Sequence, residues 1–317
     1  MSVSASISKD KIPRDYVGSA HIAGILNTPG AFGSQYSIAR YLKYGETDLD
    51  EDNLPEPIEI GNLLEEHVSK LYAKKTGSEI VAWQPHFRVS GWNCIGCTPD
   101  AIAKRRTGLP RVTDFKVVGD YKWTEVPEKY VVSSRYQLGI TGEHWEIDDT
   151  LDLAVYHLPA RRLEIYQVKH SPAWFEKTVD YTIDWFHRYV VGDEIPPIDG
   201  SPATSNALKW IEASVGSTAN IDFLAEEIER FDRLDEEYKE VGTLRDESRN
   251  KIIAAMGDAE IGMVNGEVRF TWKQQAGRDS IDTTALAADH PEIYQQYLRA
   301  GKPFRVPRSK KPKGKKS

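Results

Sequence analysis

The segment from Gly96 to Lys116 constrains this chain most, because it places two carboxylates and a lysine in strand-like sequence. Two runs that favour strands flank a basic turn at residues 104–110, which carries glycine and proline. Alternate side chains of a strand share a face, so Asp114 and Lys116 point the same way. A hairpin would therefore bring Asp100 beside Asp114.

Two neighbouring carboxylates repel each other, and this repulsion predicts a cation site. The ammonium of Lys116 compensates part of the negative charge of Asp100 and Asp114, but a divalent cation compensates it best. Carboxylate oxygens are the ligands that magnesium prefers in proteins. The segment therefore predicts a magnesium site with an activating lysine.

Composition limits the class of protein and the redox chemistry. The chain has 317 residues, of which 40% are hydrophobic and 28% charged, which is typical of a globular protein. It contains no run of 18 apolar residues and no leader-like start, so we expect a soluble intracellular protein. The two cysteines, Cys94 and Cys97, can form neither a disulfide framework nor a four-cysteine cluster. We interpret them as small packing residues, since a zinc or redox role needs further partners.

The net charge of -7 argues by itself against nonspecific nucleic-acid binding, but the charges are unevenly distributed. Residues 221–240 are acidic, whereas residues 302–316 are almost purely basic. A basic tail of this kind is commonly a disordered arm that contacts polyanions, and a solubilising terminus is the alternative.

Hydrophobic periodicity predicts helices that alternate with strands, which indicates an α/β or α+β core with a mixed sheet flanked by helices. A linker at 196–202 separates this core from a long helix, or a helical hairpin broken near Gly242, over 220–256. Asn265-Gly266 then predicts a β-hairpin, and 283–300 a short helical pair. The predicted organisation is a disordered N-terminus at 1–14, the core at 15–195, a C-terminal helix and β-hairpin extension at 196–305, and a disordered basic tail at 306–317.

Several ordered motifs resemble one family. One motif is a glycine four residues before a glutamate on an early helix, and it is the resemblance that selects Glu65 over Glu66. The other matching motifs are Gly18 to Leu26, Thr98-Pro99-Asp100, Asp114-Phe115-Lys116 and Gln137 to Gly142. Together they resemble the YqaJ-like viral recombinase family, the lambda-exonuclease branch of the PD-(D/E)XK nuclease superfamily. Two departures are Asp114 in place of the usual glutamate and Ser133 in place of an upstream glutamine.

The resemblance implies a restriction-endonuclease-like core and a Mg2+-dependent (or Mn2+-dependent) nuclease that degrades duplex DNA ends processively from 5′ to 3′. Asp100, Asp114 and the Phe115 carbonyl would bind the metal, and Glu65 would complete or orient this set. Lys116 would orient the attacking water and help to deprotonate it. Gln137 is a further catalytic candidate, whose role on the DNA or the lysine is left open by the change at Ser133. The candidate DNA contacts are Arg14, Ser19, Lys104, Arg105 and Arg106, for which a solvated surface is the alternative.

The implied partners are double-stranded DNA ends, a single-strand annealing protein and a homo-oligomeric ring, without a membrane. The expected location is the cytoplasm, that of a bacterial host if a phage encodes the protein. One rival hypothesis is a non-catalytic DNA-binding recombination partner with a nuclease-like fold. Another, an iron-sulfur nuclease, requires four cysteines, and this chain has two. A structural protein with a coiled-coil arm would explain only residues 221–256.

Overall fold

The computed structural model describes residues 15–46, 54–209, 211, 218–277 and 280–299. The chain forms two compact units that divide between Ile211 and Glu212, and each unit is described by itself. The predicted disordered segments, 1–14 and 306–317, lie outside the described residues.

Six helices are described in the first unit. They are α1 (Ser19–Ile25), α2 (Gln35–Tyr44), α3 (Glu56–Thr76), α4 (Glu128–Gly142), α5 (Pro172–Phe186) and α6 (Pro202–Lys209). The Ser34 hydroxyl caps α2 by accepting a hydrogen bond from the Ser37 amide. Gly77, with φ 67°, ends α3 in the left-handed conformation that glycine adopts readily. One π-helical turn, at 187–191, continues α5.

A five-stranded sheet positions the candidate site. The strands of this unit are β1 (Glu79–Trp83), β2 (Phe87–Val89), β3 (Trp92–Cys97), β4 (Ala101–Lys104), β5 (Arg111–Val118), β6 (Thr150–His157) and β7 (Arg162–Lys169). The sheet order is β1-β4-β5-β6-β7, and β2 pairs with β3 separately. Strands β5 and β6 run parallel, connected through α4, whereas the other neighbours are antiparallel. The predicted mixed sheet flanked by helices is confirmed.

The two faces of the sheet are covered by different helices. On β5, Phe115 packs with Tyr72 of α3, whereas Val112 packs with Leu138 of α4. Side chains alternate along a strand, so Asp114 shares the face of Val112. Helix α4 also lies close to α5 at Gly139. A Cβ at this position would lie 2.3 Å from the Phe175 ring, so only glycine fits there. The candidate site therefore lies on the face that α4 covers.

The first unit extends beyond the predicted boundary at residue 195. Pro202 begins α6 instead of ending a linker, and Thr204 of this helix is 1% exposed. The Thr204 hydroxyl donates a hydrogen bond to the Ser34 hydroxyl at 2.7 Å. Residues 202–209 thus pack with the core, and the division falls after Ile211.

The second unit contains α7 (Ala225–Met256), β8 (Ile261–Val264), β9 (Glu267–Thr271), α8 (Thr283–Asp289) and α9 (Pro291–Tyr297). Helix α7 runs unbroken through Gly242, so the first of the two predicted alternatives, one long helix, is the one observed. Asn265 and Gly266 have φ values of 53° and 82°, which form the tight turn predicted between β8 and β9. Within the described residues, none of the helices combines the length and apolar character that crossing a membrane requires.

Candidate active site

The pairing of β4 with β5 brings the two aspartates of the predicted site together. Ala101 pairs with Thr113, which leaves the preceding Asp100 beside Asp114. The backbone amide of Phe115 donates a hydrogen bond to Asp100 Oδ2 at 2.6 Å. This bond fixes the Asp100 carboxylate against the backbone of the strand that carries Asp114.

Three oxygen atoms converge on the ammonium group of Lys116. Its Nζ lies 2.6 Å from Asp114 Oδ2 and 3.7 Å from Asp100 Oδ2. It also donates a hydrogen bond to the carbonyl oxygen of Phe115 at 3.1 Å. These three oxygens are the metal ligands that the sequence predicts. They already surround one positive charge, the ammonium group of Lys116.

The surroundings of this cluster disfavour the charged form of Asp100 and favour that of Lys116. Burial and the repulsion of Asp114 raise the pKa of Asp100 well above its usual range, and Glu65 adds to this repulsion. Burial would lower the pKa of Lys116, but the attraction of Asp114 and Asp100 outweighs it and raises the pKa. Without a bound cation, Lys116 is therefore an ammonium ion that donates hydrogen bonds to the oxygens around it.

Glu65, not Glu66, is directed to the site. Glu65 is partly buried, and its Oε1 accepts a hydrogen bond from Gln84 Nε2 at 3.0 Å. Glu66 is exposed on α3 and forms an ion pair with Lys70. Glu65, which the family resemblance selects, therefore lies on the side of Gln84 and Asp100, and its role in metal binding stays a prediction.

Gln84 is a site residue that the sequence reasoning missed. Its backbone amide donates to the Asp100 carbonyl at 2.9 Å, while its side chain holds Glu65. Its φ of 46° is uncommon for a residue other than glycine, and such backbone strain persists only where surrounding contacts enforce it. The available signal was a Gln-Pro pair directly after the β1 run, which indicates a turn.

Gln137 connects α4 to the carboxylate cluster. It is 4% exposed, and its Nε2 donates to Asp114 Oδ1 at 3.4 Å and to Ser19 Oγ at 3.3 Å. Its Oε1 is buried without a hydrogen-bond partner among the described residues. Ser133, where the family motif has glutamine, donates to the Ser19 carbonyl at 2.8 Å. Ser133 and Gln137 together hold Ser19, a predicted DNA contact, against α4.

The basic turn lies away from this cluster. Lys104, the last residue of β4, and Arg106, beyond the strand, are exposed. Lys104 lies at the opposite end of β4 from Asp100, roughly 13 Å away at 3.3 Å per residue. The predicted DNA contacts of Lys104 and Arg106 stay predictions. Arg14, another predicted contact, lies outside the described residues.

Arg105, by contrast, has a partner within the protein. Its guanidinium bonds to Asp152 at 2.9 Å, in a network with Arg111 and Tyr72 on the α3 face of the sheet. Asp152 is fully buried, and burying a carboxylate requires such compensation. Arg105 thus has a structural ion pair with Asp152, and its predicted DNA contact stays a prediction.

The residues present fit a hard cation with few protein ligands. The described residues contain no group of three or more His, Cys, Asp or Glu side chains arranged for a metal ion. The converging set is instead two carboxylates and one carbonyl, all oxygen donors, which suits magnesium because it retains several waters. Cys97 is buried, burial raises the pKa of its thiol to about 12, and it packs in the core as predicted.

The chain has a mixed sheet flanked by helices, with a D-x-K strand beside a second aspartate, so the predicted α/β class with a central mixed sheet is confirmed. No family model matches the chain. The chain is 24% identical over 262 residues to the uncharacterized protein YqaJ of Bacillus subtilis, which covers 80% of this chain and 79% of YqaJ. The predicted resemblance to YqaJ is therefore confirmed.

Two solved exonuclease structures are similar to parts of this chain. An alkaline exonuclease (LHK-Exo) from Laribacter hongkongensis is 12% identical with a TM-score of 0.43, over 56% of this chain and 89% of that one. A phage related exonuclease from Haemophilus somnus 129PT is 14% identical with a TM-score of 0.41, over 55% of this chain and 93% of that one.

Proposed function

We propose that this protein is a Mg2+-dependent (or Mn2+-dependent) deoxyribonuclease. The observation that supports this proposal most is the convergence of Asp100 Oδ2, Asp114 Oδ2 and the Phe115 carbonyl within 2.6 to 3.7 Å of one point, now held by Lys116 Nζ. Such a set of oxygens, at the start of one strand and on its neighbour, with a lysine ammonium among them, suits hydrolysis of a phosphodiester.

Each residue of the cluster has a distinct role in this proposal. Asp100, Asp114 and the Phe115 carbonyl would hold the cation. When bound, the cation supplies stabilisation of the negative charge that develops on the scissile phosphate. Lys116, as an ammonium, donates a hydrogen bond that orients the attacking water or a phosphate oxygen. The two aspartates raise the pKa of Lys116 while no cation is bound. A bound cation would share their negative charge, and Lys116 would then also help to remove the water's proton.

The surrounding residues would act by positioning. Gln84 fixes Glu65 relative to Asp100, since it bonds to both. Gln137 fixes Asp114 relative to the start of α1 through Ser19. Side chains whose orientation is held by further hydrogen bonds keep catalytic geometry within the narrow limits that turnover requires.

The finer substrate assignment rests on the resemblance to YqaJ-like recombinases. The proposed reaction is processive 5′ to 3′ resection of linear duplex DNA ends, whose product strand passes to a single-strand annealing protein. A ring of identical subunits would provide the processivity. Two of the similar solved structures are named as exonucleases, in keeping with this proposed reaction.

Metal binding and cleavage are tested together with matched variants. The substrates are a linear duplex with end label and 5′-phosphate and a circular duplex, each with Mg2+ or with EDTA. Mn2+ binding is measured separately by electron paramagnetic resonance. Asp100→Ala and Asp114→Ala should abolish both Mn2+ binding and turnover, whereas Asp180→Ala, an exposed aspartate on α5, should change neither.

The outcomes separate the proposal from its rival. Metal-dependent loss of the linear duplex, with the circle intact, supports an exonuclease. Binding of duplex DNA without cleavage under any metal would favour a non-catalytic recombination partner. Cleavage that persists in Asp114→Ala would refute the assigned site.

A further inference from the structure

Helix α7 exposes apolar surface that a folded protein normally covers. None of the described residues from 218 to 299 is buried. Among the exposed side chains of α7, Phe231 is 55%, Tyr238 79% and Ile252 42% exposed. The helix has 32 residues and is about 48 Å long at 1.5 Å per residue. A helix of this length with an uncovered apolar stripe gains most of its stability from a partner.

The residues of the stripe follow a heptad pattern. Positions alternately three and four residues apart, the a and d positions of a coiled coil, form one seam along the helix. They are Ile228, Phe231, Asp235, Tyr238, Gly242, Arg245, Arg249, Ile252 and Met256 on α7, preceded by Leu224 at the N-cap of the helix. Six of these ten residues are apolar, and the exposed Leu244 lies off the seam. Leu234 and Val241 widen the apolar stripe at its edge, and both are exposed.

This seam is complementary to itself when reversed about residue 240. We infer that α7 pairs with α7 of a second copy of this chain as an antiparallel coiled coil. Each a position then faces a d position of the other helix. The facing pairs are Leu224 with Met256, Ile228 with Ile252, Phe231 with Arg249, Asp235 with Arg245 and Tyr238 with Gly242.

The chemistry of the facing pairs explains each exception to an apolar seam. Asp235 would meet the opposite charge of Arg245 twice, once at each symmetric position. The guanidinium of Arg249 would lie against the ring of Phe231, a favourable cation–π contact. Gly242 would leave room for the large ring of Tyr238. A two-fold axis requires this kind of self-complementary surface.

Charge selects the antiparallel orientation. Residues 225–240 carry eight acidic and three basic side chains, whereas 241–256 carry two acidic and three basic ones. A parallel pair would place Asp235 against Asp235 and Arg245 against Arg245. Within the described residues of one chain, Asp235 and Arg245 form exposed local ion pairs with Lys239 and Asp246, which contribute little and can exchange.

Charge reversal within the seam tests the inference, with the mass of the full chain measured by sedimentation equilibrium. The wild type is expected to associate in pairs through α7, as two chains or as two of the proposed rings. Asp235→Arg and Arg245→Asp should each weaken the dimer about 100-fold, since each places like charges opposite one another. The double variant should restore it. The matched controls, Glu240→Arg and Arg233→Asp, lie at the outermost f positions and should leave the dimer unchanged.

Cysteine cross-linking tests the orientation independently. Leu224→Cys mixed with Met256→Cys should form a disulfide-linked dimer, because the two positions face each other across the antiparallel seam. Either variant alone should not, since its two copies of the cysteine would lie at opposite ends of the helix pair.

Several results would overturn the inference. A wild-type chain that is monomeric at about 100 µM would do so, because a seam of this length should associate below that concentration. An assembly whose mass is unchanged by Asp235→Arg would also overturn it. The same holds if the double variant associates as weakly as the single variants. Association only with a different protein would show that another occupant covers the stripe.

Discussion

Replacing Asp100 by asparagine should abolish cleavage and yet stabilise the protein without metal. The Asp100 carboxylate is raised in free energy by burial and by Asp114, with Glu65 adding to this repulsion. An asparagine carbonyl can still accept the Phe115 amide bond, which is 2.6 Å long here. The substitution therefore removes charge while it retains the main hydrogen bond.

The expected change in the free energy of unfolding is the difference between two effects of removing the Asp100 charge. Relief of burial and repulsion is partly offset by loss of the attraction to Lys116, 3.7 Å away. We expect a net gain of about 1 kcal/mol, which falls within the usual range for relieving a strained active site. For a unit of about 200 residues this corresponds to a rise in Tm of about 3 °C.

The pH dependence has a definite sign. The pKa of Asp100 is raised in the folded state, so the unfolded chain loses this proton first as pH rises. The folded wild type therefore loses stability as pH increases above about 4, the unperturbed value for aspartate. The loss continues until the folded carboxyl group ionises. The advantage of Asp100→Asn should accordingly be absent below pH 4 and grow above it.

Thermal unfolding followed by circular dichroism measures these effects, with and without Mg2+. A saturating Mg2+ concentration of about 100 times Kd should stabilise the wild type by about 2.7 kcal/mol. Mg2+ should add little to the stability of Asp100→Asn, whereas it should stabilise Asp180→Asn as much as the wild type. A variant that is less stable than the wild type above pH 5 without metal, or that gains as much from Mg2+, would refute the electrostatic account.

Two further substitutions test the contacts around the site. Gln84→Gly removes the bond to Glu65 but relieves the backbone strain at φ 46°, so cleavage should fall about tenfold while Tm changes by less than about 2 °C. A matched drop in Tm would mean that Gln84 is only structural. Asp152→Ala leaves Arg105 and Arg111 without their buried partner and should cost about 3 to 5 kcal/mol in urea unfolding. A loss below about 1 kcal/mol would contradict the network.

The elements that the sequence predicts well are those with local causes. The alternation along β5 predicts that Asp114 and Lys116 share a face, and their side chains do meet there, with 2.6 Å between Lys116 Nζ and Asp114 Oδ2. The turn at Asn265-Gly266 follows from the few residues that adopt positive φ. Each of these depends on residues close together in the chain.

The features that the sequence does not predict depend on distant contacts. Gln84 reaches Glu65 from 19 residues away, and Arg105 reaches Asp152 from 47 residues away. Nothing near either residue indicates these partners. The proline-rich segment before α6 indicates a linker, but Thr204 binds Ser34 across 170 residues and holds that helix on the core. Tertiary packing here overrides the local signal.

The most direct test of the assigned site is single-turnover cleavage of a 5′-phosphorylated linear duplex by the wild type and Lys116→Ala. The account predicts Mg2+-dependent cleavage that EDTA abolishes and that Lys116→Ala slows by at least about 100-fold. Lys177→Ala, which changes an exposed lysine on α5, should retain the full rate. Equal rates for the wild type and Lys116→Ala would contradict the account.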